Sequence, residues 1–251
     1  LVAIIDGMVA GLPIDEDYIS RDLARRQGGY GRGGRMKIES DRAEIISGVR
    51  YSLTTGSPIS MLIQNRDWEN WKEIMSVAAV TGKGEKVTRL RPGHADMAGT
   101  RKYGLDDVRP ILERASARET AARVAVGAVA RRFLEEFGID IKSHTLAVGD
   151  ARIGEIKIDK IDWAKVKKSP VRCASAKAEK AMIAAIDSAK ANGDSVGGRF
   201  QVIATGVPIG LGSHVQWDRR IDGKIAQAIM SIQAVKGIEI GDSSSIEGLK
   251  G

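Results

Sequence analysis

The feature that most constrains the fold is a stripe of small apolar residues. Ala121, Val124, Ala125, Ala128, Val129 and Phe133 recur at intervals of three and four. That period puts them on one face of a helix running from near Ser116 to Gly138, where glycine supplies a C-terminal cap. Because the face is mostly alanine and valine, its partner can approach closely. Other segments offer partners. Residues 1–5 and 139–149 read as strands, as do 43–53 and 59–64 on either side of a Thr-Thr-Gly-Ser-Pro turn. Pro13 and Asp15 introduce an amphipathic helix to about Arg26, with acids first and arginines last, the order that complements the helix dipole. Residues 176–191 and 219–232 read as two more helices, and 198–206 and 235–240 as strands. Residues 67–74 form a short polar helix or irregular segment, and 77–104 read mostly as loop. The mixed order without a repeat favours α+β layers over a doubly wound sheet.

Composition narrows the function classes. A chain of 251 residues can bury a sizeable core, as one large domain or two modest ones. The lone cysteine, Cys173, excludes an internal disulfide framework and suits a reducing cytoplasm; it reads as a buried structural thiol. A net charge of +7 asks for an anionic partner: nucleic acid, an acidic membrane or a phosphorylated metabolite. Aromatic residues are only 4%, poor equipment for stacking bases, which tilts the reading toward small phosphorylated ligands. The longest apolar runs fall far short of a membrane span. The chain opens at Leu1 without methionine and closes on a Ser-rich, loop-like stretch, so a piece of a longer polypeptide is expected.

Several segments could carry chemistry. Arg91-Pro92-Gly93-His94-Ala95-Asp96 places a histidine, a fixed cation and a carboxylate on a Pro-Gly turn. Its bland alternative is a solvated turn whose His94 and Asp96 merely bond each other. The basic loop Arg25-Arg26-Gln27-Gly28-Gly29-Tyr30-Gly31-Arg32-Gly33-Gly34-Arg35-Met36-Lys37 combines glycines, which let backbone amides approach a ligand, with guanidinium forks for phosphate. It lacks the Gly-Lys-Ser/Thr ending of a Walker loop. An RGG-like RNA-binding segment and a plain connector remain alternatives. Glu113 to Thr120, with Ser116 between Arg114 and Arg118, begins the long helix, where free amides attract anions. Asp194-Ser195-Val196-Gly197-Gly198 and Ser231-Ile232-Gln233-Ala234-Val235-Lys236-Gly237 are weak signals alone. No His, Cys and carboxylate cluster has metal spacing. His144, within a strand, reads as a half-exposed face residue, and His214 as solvent-facing.

Taken together and in order, these segments resemble the chorismate synthases. The resemblance rests on Arg25 to Met36, Asn65-Arg66-Asp67-Trp68-Glu69-Asn70-Trp71, Arg91 to Asp96, Arg114 to Arg123, Asp194 to Gly198 and Ser231 to Gly237. It implies an α+β fold in which helices pack between antiparallel sheets, a β-α-β sandwich, with residues 1–251 one domain of a cytoplasmic homotetramer. It also implies elimination of phosphate and a ring proton from 5-enolpyruvylshikimate 3-phosphate to give chorismate. Reduced FMN is required, and NADPH is a candidate reductant; neither nucleic acid nor membrane is a partner.

The resemblance assigns residues too. His94 matches a catalytic proton donor beside the flavin, and Arg32, Arg91 and Arg118 match substrate-binding positions. Arg26, Arg32, Arg114, Ala115, Ser116, Gln233 and Ala234 match flavin-binding positions. The family's Gly-Glu-Ser-His-Gly segment would lie before Leu1, and its later flavin-binding loop and Arg-Ser-Asp segment beyond Asp242. Residues 1–251 alone are therefore expected to lack two of three proposed acid–base groups and to be inactive. Rival expectations are a nucleic-acid-binding protein built on the glycine–arginine loop, or an inactive truncated family member.

Overall fold

The computed structural model describes residues 1–32, 40–79 and 85–241. It begins with β1 (Val2–Ile5), β2 (Ala10–Pro13), α1 (Glu16–Gln27), β3 (Ala43–Ser47), β4 (Val49–Arg50), β5 (Leu53–Thr55) and β6 (Ile59–Ile63). Helices α2 (Asp96–Tyr103), α3 (Arg109–Arg114) and α4 (Thr120–Glu135) follow. The remainder is β7 (Asp140–Val148), β8 (Ala151–Arg152), α5 (Trp163–Lys168), α6 (Ala176–Ala191), β9 (Gly198–Thr205) and α7 (Ile221–Met230). These elements form two compact units, each drawn from two stretches of chain: Leu1–Asn70 with Ala121–Val207, and Trp71–Thr120 with Pro208–Gly251.

The first unit contains the small-residue stripe. Strands β1, β6 and β3 pair antiparallel in the order β1-β6-β3, with Ala3 opposite Met61 and Ala43 opposite Ile63. Alternation turns Ala3, Ala43, Ile59, Met61 and Ile63 to one face. Ile19 and Leu23 of α1 and Ala121, Ala125, Ala128 and Val129 of α4 close the same core. Ile19 and Leu23 are fully buried, worth about 1.5–3 kcal/mol each in water exclusion. Helix α1 starts as expected: the Asp15 carboxylate accepts from Tyr18 N, and Glu16, Asp17, Arg25 and Arg26 stand at the ends that suit their charges. At its far end Arg25 Nη2 donates to Ser143 Oγ on β7 at 2.8 Å, tying α1 to a strand of the antiparallel β8-β7-β9 sheet. A polar seam joins α1 to α4: Tyr18 hydroxyl donates to Glu135 at 2.6 Å, and Arg131 reaches Asp22 at 2.7 Å.

Two local expectations are corrected in this unit. Residues 43–53 do not form one strand. Gly48 adopts φ +80°, and a Cβ there would stand 2.5 Å from the Pro58 carbonyl oxygen; Tyr51 and Ser52 also have positive φ, at 50° and 58°. The chain therefore breaks into β3, then β4 and β5 around a tight turn. Strand β5 also pairs with β2, which the sequence reading did not anticipate, and Thr54 Oγ1 accepts from Leu12 N at 2.9 Å while donating to Val9 O at 2.6 Å. Secondly, His144 is not half-exposed. It is 3% exposed, its Nε2 lies 3.0 Å from Gln201 Oε1, and its ring meets Trp163 edge-on at 5.9 Å. The turn leading into α5 brings Trp163 over β7, something no period along β7 could reveal. Cys173 is buried, its thiol pushed up by desolvation, and packs with Met182 of α6 as a structural residue should.

The second unit is helical, with long turns. Residues 77–104 read mostly as loop in the sequence, yet α2 occupies Asp96–Tyr103, and α3 follows without a sequence signal. Gly99 explains the misreading, since glycine in mid-helix weakens the pattern. It is required because Ile111 of α3 fills the space where a side chain would stand. Residues 235–240 are not a strand; their alternation finds no pairing neighbour among the described residues. His214 is exposed, as expected. Among the described residues no helix is long and apolar enough to cross a membrane.

Candidate functional site

The residues singled out in the sequence fall into three groups. The first is the turn that opens α2. Asp96, its first residue, is 0% exposed. Its Oδ2 accepts from Arg91 N at 2.9 Å and Arg91 Nε at 3.0 Å, and its Oδ1 accepts from Arg91 Nη2 at 3.2 Å. Oδ1 also makes a short contact with His94 Nδ1. Arg91 Nη2 lies 3.0 Å from each imidazole nitrogen, which places the guanidinium over the ring. The positive φ of Gly93, 68°, lets the chain turn back tightly enough for a residue five positions on to grip Arg91. The hydrogen bonds from Arg91 hold the Asp96 carboxyl well below the usual carboxylate range, against the opposing effect of desolvation. Arg91 is reciprocally held above its ordinary value by the Asp96 hydrogen bond. A cation and an imidazole, both reachable from solvent, are thus fixed by one buried carboxylate.

The second group surrounds the end of α3. Arg114 is exposed on its last turn, and Ala115 caps it. Ser116 then opens a 3₁₀ turn, Ala117–Glu119, its Oγ accepting from Arg118 N at 3.3 Å. The expected helix start near Ser116 is thus a 3₁₀ turn leading into α4 at Thr120. Gln233, just beyond α7, donates from Nε2 to Glu119 Oε2 at 2.8 Å. Its Oε1 is buried without a hydrogen-bond partner among the described residues, and the next residue, Ala234, has φ 67°. A buried, unused acceptor beside a left-handed alanine is costly in isolation. Such an arrangement fits a flat ligand that offers a ring N–H.

The third group lies in the first unit. Arg26 Nη1 binds Asp41 Oδ2 at 3.2 Å, an ion pair with side chains 12% and 1% exposed. The Arg32 guanidinium is pushed below its usual value by partial desolvation and then by the charge of Arg26. Tyr30 pins the loop, its amide donating to Pro170 O at 3.0 Å and its hydroxyl to Asp187 at 2.8 Å. Gly33, Gly34, Arg35, Met36 and Lys37 of this motif lie outside the described residues.

Sequence reasoning fell short at two residues. Asp96 is expected only as a partner that bonds His94 in a solvated turn; the structure forms that contact but buries the carboxylate and adds the grip on Arg91. Glu119 gave no signal, because its partner lies 114 residues away. Among the described residues no group of His, Cys, Asp and Glu could hold a metal ion.

Comparison with known proteins follows the same lines. The sequence profile of the chorismate synthase family matches residues 1–251. A chorismate synthase of Alkaliphilus metalliredigens is 55% identical over 243 residues, covering 96% of this chain and 63% of the relative. One from Moorella thermoacetica is 53% identical over 254 aligned positions, covering 100% of this chain and 65% of the relative. A solved structure described as a crystal structure of chorismate synthase superposes with a TM-score of 0.80 at 43% identity, covering 100% of this chain and 67% of that one. The chain spans less than two thirds of the length of both relatives. A profile match over residues 1–251, with relatives 55% and 53% identical, places this chain in the chorismate synthase family.

Proposed function

We propose that the protein of which these residues form part converts 5-enolpyruvylshikimate 3-phosphate to chorismate, eliminating phosphate and a ring proton with reduced FMN bound. The observation that carries the proposal is the turn of Arg91, His94 and Asp96, formed in a chain whose residues 1–251 all match the family profile. Substrate and flavin together bring several negative charges, and removing them from water requires fixed cations. Arg91 and Arg118 are assigned to substrate phosphate and carboxylates. Arg26 and Arg32 keep the anion-binding role that the family resemblance gives them.

The residues around Ser116 and Gln233 fit a flavin. Gln233 Oε1 is an acceptor left for a ring N–H, and the family resemblance adds Arg114, Ala115, Ser116 and Ala234. What reduced FMN supplies when bound is electron density, lent as phosphate leaves and recovered as hydrogen departs. His94 holds the exchangeable proton beside it, since an imidazole can give and take a proton near neutrality. A cytoplasmic homotetramer, with the flavin reduced from outside or at the expense of NADPH, completes the reading.

The test is anaerobic turnover by the full-length protein. Chorismate should form with reduced FMN and not without it. His94→Ala should lower kcat by about 10²–10⁴-fold, the range for a positioned acid–base group, with substrate affinity changing much less. No chorismate from the intact protein, or loss of binding with unchanged kcat, would overturn the assignment.

A further inference from the structure

Asp96 belongs to none of the roles assigned above, yet it is the most completely buried group of its turn. Its position at the head of α2 suggests an ordinary helix-capping task, but the contacts say otherwise. The N-cap of α2 is Ala95, and no side chain caps that end. The Asp96 carboxylate instead accepts three hydrogen bonds from Arg91, through N, Nε and Nη2, and meets His94 Nδ1. A carboxylate that stays ionised offers acceptors and no donor. The proton between it and His94 therefore resides on Nδ1, and in neutral imidazole that leaves Nε2 bare.

Resting on the proposed function, we propose that Asp96 is a positioning residue: it fixes the tautomer and orientation of His94 so that Nε2 exchanges the proton, and it holds Arg91 beside the ring. Charge reinforces geometry. The hydrogen bonds from Arg91 keep Asp96 ionised, and the Arg91 guanidinium stands 3.0 Å from Nε2 as well as Nδ1. The carboxylate thus serves two side chains whose relative placement the reaction needs. Asparagine at the same position cannot do both. It has one acceptor oxygen, and its amide would point a donor at either the guanidinium or the imidazole.

The experiment is ¹⁵N NMR of the full-length, histidine-labelled protein above the imidazole titration, with the His94 signals identified by their loss in His94→Gln. In the wild type, the proton of neutral His94 should sit on Nδ1. In Asp96→Asn it should move to Nε2 or divide between the two, with kcat falling by about 10²-fold or more. A wild-type His94 protonated at Nε2 overturns the proposal whether or not the variant folds. Asp96→Asn that keeps the Nδ1 proton and turns over within about threefold of wild type also overturns it, given that such a loss lies below the acid–base range. Wild-type protein that forms no chorismate would defeat the functional reading alone, since the tautomer is measured without turnover.

Discussion

Gly99 lies in the middle of α2, and a Cβ built there would stand 2.8 Å from both Cδ1 and Cγ2 of Ile111 and 3.0 Å from its Cγ1. Ordinary contact begins at 3.4 Å, so Gly99→Ala asks the two helices to separate by about 0.6 Å. Ile111 cannot swing aside, because it is buried and its branched Cβ restricts χ1. Two energies oppose each other. Alanine favours helix over glycine by about 1 kcal/mol, and overpacking costs about 1–3 kcal/mol. Net destabilisation is therefore small, about 0–2 kcal/mol. The displacement matters more. Helix α2 begins at Asp96 and α3 ends at Arg114, so the shift moves the Arg91–His94 turn against Ser116 and its neighbours. A misplacement near 1 Å can cost about 10²-fold in rate, so about tenfold or more is expected here.

Urea unfolding and anaerobic kinetics of the full-length protein measure the two effects separately. Gly99→Ala should lower kcat/KM by about tenfold or more while changing stability by no more than about 2 kcal/mol. Ile111→Ala removes all three clashing atoms at its own cavity cost of about 2–5 kcal/mol, and adding it to Gly99→Ala should restore part of the activity. A Gly99→Ala protein that is about 1 kcal/mol more stable and fully active would refute the reasoning, since it would mean that Ile111 yields freely.

Two further outcomes follow from buried polar groups. Thr54→Val removes the acceptor of the buried Leu12 amide and should cost about 1–3 kcal/mol, whereas Thr54→Ser keeps both hydrogen bonds and should cost about 1 kcal/mol for the lost methyl. Urea midpoints decide it, and a serine variant weaker than the valine variant would contradict the assignment. The Asp96 carboxyl, held below its ordinary value, contributes stability that is present above about pH 4 and lost as pH falls through the folded value. The stability gap between wild type and Asp96→Asn should hold from pH 7 to about 5 and narrow below about 4; a gap unchanged down to about pH 3 would remove Asp96 from the acid response.

Elements that bury one continuous face were legible in the sequence. The 3.6-residue period of Ala121, Val124, Ala125, Ala128 and Val129 gave α4 and its place in the core, and the ordered charges gave α1. The motif order likewise pointed to the family, because each motif is a short contiguous run that the linear sequence displays directly. What failed locally depended on distant chain. Gly99 looks like a helix breaker until Ile111 is seen against it, and residues 235–240 alternate like a strand with no pairing neighbour among the described residues. His144 is buried by Trp163, and Gln233 is aimed by Glu119, in contacts that no period encodes.

The same division runs through the candidate site. Sequence alone placed Arg91, His94 and Asp96 within six residues and so determined that their side chains could meet. Only the tertiary structure decided how they meet. Burial strips water from Asp96, and a carboxylate without water must take its hydrogen bonds from the nearest donors, Arg91 and His94. Desolvation is a property of everything packed around the turn, and it turns three neighbouring residues into one fixed arrangement.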